Sequence, residues 1–455
     1  MAQISPFTRS VVRSMRTLYP EALADKSFDN TGLLLEAPIP ARLARKNNSV
    51  LLAIDLTRAV ADEAIEGNYS TVVAYHPIIF RGLKSITLDD PQQQSLLRLA
   101  SHGVSVYCPH TAVDIVPNGM ADWLCDIVTG KIDPPPEPTT VMSSETKQQG
   151  TIQQSEPASE TDVTTSEEDE PVTPDDTKAN NHTSDPFTDK DPITPKPQQK
   201  RPTIAHRTYS KPSYPSRQGK GQDTPPHRTP SPIQSSPSTT FHHAVIPHKR
   251  EIITPSPSNA LDTANKARPS PPSASSPSYN PSNTGSGRFI TFETAQPLAT
   301  LITRIAHATG TPKGFPVAIP QDRSLECIRI KTIGICPGSG SSVIRNASQP
   351  PDLVFTGEMS HHEALAVIER GGCVICLFHS NSERGYLDGV MKELLEEELR
   401  RTWDQERKDT QSEVDDVVKD ILKDNDISVV ISNRDRDPFG IVVLQESSVH
   451  GEAVG

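Results

Sequence analysis

STVVAYHPIIF, residues 70–80, decides the fold. Thr71, Val72, Val73 and Ala74 run without a charged break. Such a run suits a strand covered on both faces. It then delivers Tyr75, His76 and Pro77 into a loop. The same design recurs along the chain in SVLLAIDLT (49–57), VSVYCPHTAVD (104–114), IRIKTIGICPGSG (328–340), PDLVFTGE (351–358) and CVICLFHS (373–380). Between these runs lie helical stretches, AVADEAIEG (59–67), QQSLLRLASHG (93–103) and HHEALAVIERGG (361–372), the last two ending in the glycine that commonly stops a helix. Apolar strands alternating with helices make an α/β fold.

The 455 residues do not all carry this pattern. Composition changes near Asp133. Of 43 prolines, 27 fall between Pro134 and Pro281, amid Ser, Thr and Gln. Such a tract cannot bury enough apolar surface to offset its chain entropy. The fold class is therefore α/β with two lobes. One is built from an N-terminal block, 1–133, and the other from a C-terminal block, 288–455. A Pro/Ser/Thr-rich insert, 134–287, is read as disordered and looped out at small thermodynamic cost. The two blocks either complete one another or pack as separate lobes. Ser/Thr-Pro steps recur in the insert, from Thr173 to Ser276, and raise proline-directed phosphorylation as a hypothesis; an unmodified segment in growing cells would count against it. The C-terminal block contains a charged helical insert near 402–425; the charged stretch 393–422 that leads into it has Leu394, Leu395, Leu399 and Trp403 as an apolar helical stripe, and the remainder is read as a solvated face. ISVVISNRDRDPFGIVVL (427–444) reads as two strands about an Asp-Pro turn.

A formal net charge of -12 disfavours direct binding to nucleic acid or anionic membrane. No run of eighteen apolar residues exists, so no membrane span is expected. Arg9, Arg13 and Arg16 with no acid before Glu21 are compatible with a mitochondrial presequence. The favoured reading is a first helix, with Ser5 as cap, Pro6 in first position, and Val11, Val12, Met15 and Leu18 on one stripe. The six cysteines lie scattered in apolar segments. Cys373 and Cys376 form a C-x-x-C inside a buried-strand pattern and have no second pair to complete a zinc site. A reducing compartment is expected, cytoplasm or nucleus rather than mitochondrion.

In open α/β sheets, function collects where strands end. His76, His110 with Asp114, the glycine-serine loop 337–342, Glu358 with His361 and His362, and His379 with Glu383 all follow apolar runs. Each alone has an ordinary reading: a hydrogen-bonded structural histidine, a turn, a helix start. His379 and Glu383, four apart, fit either metal ligation or a capped helix start. Together these residues give a mixed N/O donor set suited to Zn, Mn, Fe or Co, and a bridging carboxylate allows two ions. The amides of GSGSS are candidates for holding a phosphate.

The motifs SFDNTGLLL, YHPIIF, PHTAVD, GSGSS, TGEMSHHEAL, FHSNSERGYL and DRDPFGIVV, in that order, resemble the GTP cyclohydrolase I type 2 / NIF-three-like family, the dinuclear-metal-centre proteins. The resemblance covers most of 1–133 and 288–401, then about 426–445. It implies two α/β lobes, a site between them for one or two divalent metal ions, and a homo-oligomer, often a hexamer. Carried over, His76 and Asp114 serve one metal and His379 the other, Glu383 bridges, and His110 is a further ligand or lies just behind the ligands. Glu358, His361 and His362 are candidate proton-transfer groups. One departure stands out. Bacterial members often carry His where this chain has Tyr75, and a neutral phenol is a poor ligand. The resemblance leaves two functions open. One is a metal-dependent hydrolase of a nucleotide or phosphoester, with opening of the guanine imidazole ring of GTP implied by the family name. The other is a non-enzymatic metal-binding scaffold or transcription-related interaction partner, with the Pro-rich segment as a docking element. No guanine-reading motif or Walker loop stands in the sequence.

Overall fold

The parallel strands β2 (Ser49–Ala53), β3 (Thr71–Ala74) and β4 (Ser105–Cys108) are buried along their whole length, as their apolar runs require. They align with Leu51 opposite Val72 and Val72 opposite Val106. β1 (Gly32–Leu35) runs antiparallel along β4. The fifth strand of this sheet, β11 (Ser428–Ile431), comes from the far end of the chain and lies parallel to β2. The order is β1-β4-β3-β2-β11. These details come from a computed structural model that describes residues 5–39, 47–132, 245–268, 277–310, 314–410 and 416–442.

A second sheet has the order β5-β6-β8-β9-β10-β7. β8 (Arg329–Cys336), β9 (Leu353–Thr356) and β10 (Cys373–Cys376) are parallel neighbours. The long β6 (Gly285–Pro297) runs antiparallel to β8. β5 (His248–Pro255) and the two-residue β7 (Val317–Ala318) form the edges. Inward faces of both sheets join one core, with Val50, Leu52 and Val73 on one side and Ile290, Ile333 and Phe355 on the other. The helices Arg58–Glu66 and Pro91–Ser101 cover the outer face of the first sheet.

The reading as α/β with two sheet-based lobes holds, with two adjustments of boundary. The first concerns the blocks. β11 belongs to the C-terminal block by sequence and to the first sheet by hydrogen bonding, so the blocks complete one another. The second concerns the tract 134–287. It contains β5, the helix Ser258–Lys266 and the start of β6. In HKREIITP the half-buried His248, Arg250 and Ile252 alternate with the exposed Lys249 and Glu251, the period of an edge strand, but only Ile252 and Ile253 are apolar, so the alternation does not register as a hydrophobic pattern in the sequence. Pro255 sits at the strand's end on the sheet edge, where a missing N–H is tolerated. Residues 133–244 lie outside the described residues. The second strand read in 439–444 is not found: Phe439–Val442 form no strand, and 443–444 lie outside the described residues.

The first helix, Pro6–Leu18, is capped by Ser5 with Pro6 in first position, as expected. It packs on the helix Lys392–Asp409. Phe7 meets Trp403 edge-to-face at 5.5 Å, Ser14 donates to Thr402 at 3.1 Å, and Arg9 pairs with Glu406 at 2.7 Å. The charged stretch is thus not one solvated face. Glu398 and Glu406 are buried, which a charge count cannot reveal because it is blind to which acids have partners. A second ion cluster ties the helix Met120–Thr129 to β5 and β6. Arg288, only 1% exposed, grips both Asp122 oxygens at 2.9 and 3.0 Å, and Arg250 adds a contact at 3.0 Å.

Candidate metal centre

Where β3 ends, Tyr75 and His76 prolong its ladder by donating to Ala53 and Ile54 carbonyls at 2.9 Å each. Pro77 then ends the pairing. Where β10 ends, the Leu377 amide donates to Thr356 at 3.1 Å. Phe378 turns through a left-handed conformation, φ +67°, and His379 opens a single tight turn, Ser380–Ser382. Glu383 closes that turn, with its N–H on the Ser380 carbonyl at 3.2 Å. A non-glycine residue at positive φ costs strain and persists where the surroundings enforce it. Here it swings His379 toward the first sheet.

The outcome is a cluster drawn from both sheets. His76 Nε2 lies 3.4 Å from Glu383 Oε2, and His379 Nε2 lies 3.4 Å from Glu383 Oε1. The two imidazole centroids are 5.1 Å apart. One donor atom from each of His76, His379 and Glu383 falls within 4.8 Å of the others. His76 Nε2 and Glu383 Oε2 are buried and make no hydrogen bond. Unpaired buried polar atoms are costly, and a divalent cation satisfies both at once. The donor set therefore fits an ion, and Zn, Mn, Fe or Co suits two imidazoles and a carboxylate better than Mg or Ca. Gly338 makes room for it. A Cβ there would stand 2.7 Å from Glu383 Oε1 and 2.9 Å from His379 Nε2.

Each histidine is aimed by a carboxylate behind it. Asp55 takes His76 Nδ1 at 2.9 Å, Glu358 takes His379 Nδ1 at 2.9 Å, and Asp29 takes His110 Nδ1 at 2.6 Å. Such partners fix the tautomer that turns Nε2 toward an ion. Burial lowers the His76 pKa, but the Glu383 charge and the Asp55 bond outweigh it, and without an ion it is pushed up to about 10. Burial raises Asp55, yet its bond to His76 holds it below the usual range. The Ser339 hydroxyl, then His379, holds Glu358 low.

The sequence-derived ligands separate into two sets. His76, His379 and Glu383 converge. His110 stands one ring away, 5.5 Å centroid to centroid from His76. Asp114 is engaged elsewhere: the Tyr75 hydroxyl lies 2.8 and 3.0 Å from its two oxygens. Burial and the Glu383 charge hold Asp114 well above the usual carboxylate range, with the Tyr75 bond acting in the opposite sense. Glu358 orients His379. His361 and His362 stand exposed at the start of the helix His361–Ile368, which Ser360 and Glu363 cap reciprocally. The phosphate-cradle reading of the glycine-serine loop meets a geometric correction. The Gly338 amide is spent on Ser382 Oγ at 2.9 Å and the Gly340 amide on Thr356 Oγ1 at 3.0 Å.

The sequence reading passed over Asp29 and Asp55, although Asp55 follows the apolar run of β2 as His76 follows that of β3. It also gave no role to Asp435 and Asp437. Asp435 receives the Ile54 amide at 2.6 Å and pairs with Arg384, and Asp437 receives Ser380 Oγ at 2.7 Å. Both brace the turn that carries His379. Two half-exposed rings, Phe28 and Phe80, lie 6.3 Å apart and border His110 at 6.3 and 6.4 Å.

The family model described as Duf34/NIF3 (NGG1p interacting factor 3) matches residues 8–414. The chain is 31% identical over 391 residues to a NIF3 homolog of Schizosaccharomyces pombe, covering 86% of this chain and 88% of that one. It is 27% identical over 392 residues to the NGG1-interacting factor 3 of Saccharomyces cerevisiae, covering 85% and 90%. It is 26% identical over 419 residues to NIF3-like protein 1 of Homo sapiens, covering 92% and 88%.

Proposed function

Because the chain belongs to the Duf34/NIF3 family, we propose that it holds a divalent metal ion on His76, His379 and Glu383 and hydrolyses a nucleotide or another phosphoester there. The observation that carries this reading is the facing pair of buried atoms that make no hydrogen bond, His76 Nε2 and Glu383 Oε2, 3.4 Å apart, with His379 beside them. A divalent ion in that position supplies Lewis acidity, which brings the pKa of water near neutrality and polarises a phosphoryl oxygen. Asp55 and Glu358 hold the Nδ1 protons of the two histidines and so keep both Nε2 atoms available. Phe28 and Phe80 offer apolar faces beside His110, suited to a planar base. Ring opening of GTP would be a different reaction of the same centre, with water adding to a carbon of the guanine imidazole ring and a C–N bond breaking instead of a P–O bond.

The test is turnover of a panel of nucleoside phosphates and aryl phosphates by chain loaded with Mn, Zn, Fe or Co, beside His379→Ala. Turnover that disappears with the metal supports the hydrolase. Full metal content with no turnover on the panel favours the second reading, a metal-bearing scaffold for protein partners. That reading draws on the name of the Saccharomyces cerevisiae relative, NGG1-interacting factor 3. Either role is compatible with a homo-oligomer, a hexamer in the resemblance, which native mass spectrometry checks. Among the described residues no helix is long and apolar enough to cross a membrane, and all six cysteines are free thiols. The scattered spacing of the six cysteines in the sequence supports a reducing compartment, cytoplasm or nucleus, as the proposed location.

A further inference from the structure

We propose that Tyr75 closes Asp114 to metal, so that this chain carries a centre for one ion rather than two. The proposal rests on the reading of His76, His379 and Glu383 as ligands and concerns what stands next to them.

Tyr75 is fixed at both ends. Its amide is in the β3 ladder, 2.9 Å from the Ala53 carbonyl, and its ring is 2% exposed. The ring packs on His76 and His110, with centroids 5.0 and 5.4 Å away. The hydroxyl therefore has little freedom, and it straddles both Asp114 oxygens. An ion gripped by both Asp114 oxygens would have to displace that hydroxyl and leave a buried O–H without its acceptor, a costly exchange that leaves Asp114 only single-oxygen ligation on its outer lone pairs. Ligation by Tyr75 itself is no easier. One proton lies between phenol and carboxylate, and whichever group keeps it is the poorer metal donor. The pair thus offers at most one good ligand where a second ion needs two. The donor atoms that do gather within 4.8 Å come from His76, His379 and Glu383, without Asp114.

The experiment is equilibrium dialysis of the full chain, purified without chelator, against Mn2+, followed by plasma mass spectrometry and electron paramagnetic resonance. The expected result is about one Mn per chain with an isolated six-line spectrum, rising to about two in Tyr75→His, whose imidazole frees Asp114 and adds a donor. About two ions in the natural chain, with spin-coupled lines, would overturn the proposal while leaving the metal reading intact. One ion in both chains would overturn the role given to Tyr75. No bound ion in either would overturn the metal centre itself. If Tyr75→His does not fold, the spectrum and stoichiometry of the natural chain alone decide between one ion and two.

Discussion

His76 comes from the first sheet and Glu383 from the turn that follows the second, and their facing atoms stand 3.4 Å apart, buried and unpaired by hydrogen bonds. Neither sheet alone supplies a site. Changing one partner should therefore remove an ion without dismantling either sheet. Glu383→Ala and His379→Ala are expected to lose bound metal while keeping the circular dichroism of the natural chain. Unchanged metal content in either would refute the ligand assignment.

Asp55 touches His76 Nδ1 and stands outside the proposed ligand set. Asp55→Asn should leave the ligand count intact and weaken metal affinity by about 10–100-fold, the usual consequence of loosening a ligand's orienting partner. A competition titration against a metallochromic chelator reads this directly. An affinity equal to that of the natural chain would show that Asp55 does not orient His76.

Gly338 has φ +57° and lies under Glu383 Oε1 and His379 Nε2. Gly338→Ala should cost about 1 kcal/mol in stability from the left-handed backbone alone. It should also lower metal affinity, because the added methyl occupies the space in which the ligands converge. A thermal melt and a metal titration separate the two effects; a full-affinity variant would mean that the ligands can shift to make room.

Asp122 faces Arg288 and Arg250. Asp122→Ala leaves a buried guanidinium without its carboxylate and should destabilise the fold by about 3–5 kcal/mol in urea unfolding. Burial alone would raise the Asp122 pKa, but the two arginines hold it below its ordinary value. Its contribution is then fully present above the ordinary carboxylate range and fades as pH falls through the lower folded value. Stabilities of the natural chain and Asp122→Asn should converge in strong acid, separate as pH rises toward about 4, and stay a constant distance apart above it. Parallel curves would remove the linkage.

Deletion of residues 140–240 is expected to keep metal loading, whereas deletion of 140–284 removes β5 and the Arg250 contact and should abolish soluble folded protein. Equal yields of the two would show that β5 is dispensable.

The strands with continuous apolar runs were legible because burial on both faces writes itself into composition. The edge strands β1, β5 and β7 were not. An edge strand needs few apolar residues, and β7 has only Val317 and Ala318. For the site, residue types at strand ends pointed to His76, His379 and Glu383. The carboxylates behind them were harder to find, because Asp29 and Asp55 acquire meaning only when distant segments meet: Asp29 reaches His110 across 81 positions. The engagement of Asp114 by Tyr75 is likewise a matter of two rotamers, which no spacing encodes. The glycine-serine loop misled for the same reason, since two of its amides, those of Gly338 and Gly340, are free in sequence and spent in space.

The placement of β11 has a consequence for synthesis. β2 has β11 as its neighbour on one side, and 379 positions separate their starts, Ser49 and Ser428. While a ribosome is making the intervening chain, β2 presents an unpaired edge of Val50, Leu51 and Leu52, and exposed apolar edges recruit other chains. Completion of the first sheet must wait for the last strand to emerge, so a nascent chain has the longest wait just where it is stickiest. Expression yield should therefore depend on chaperone supply more than the stability of the finished molecule would indicate.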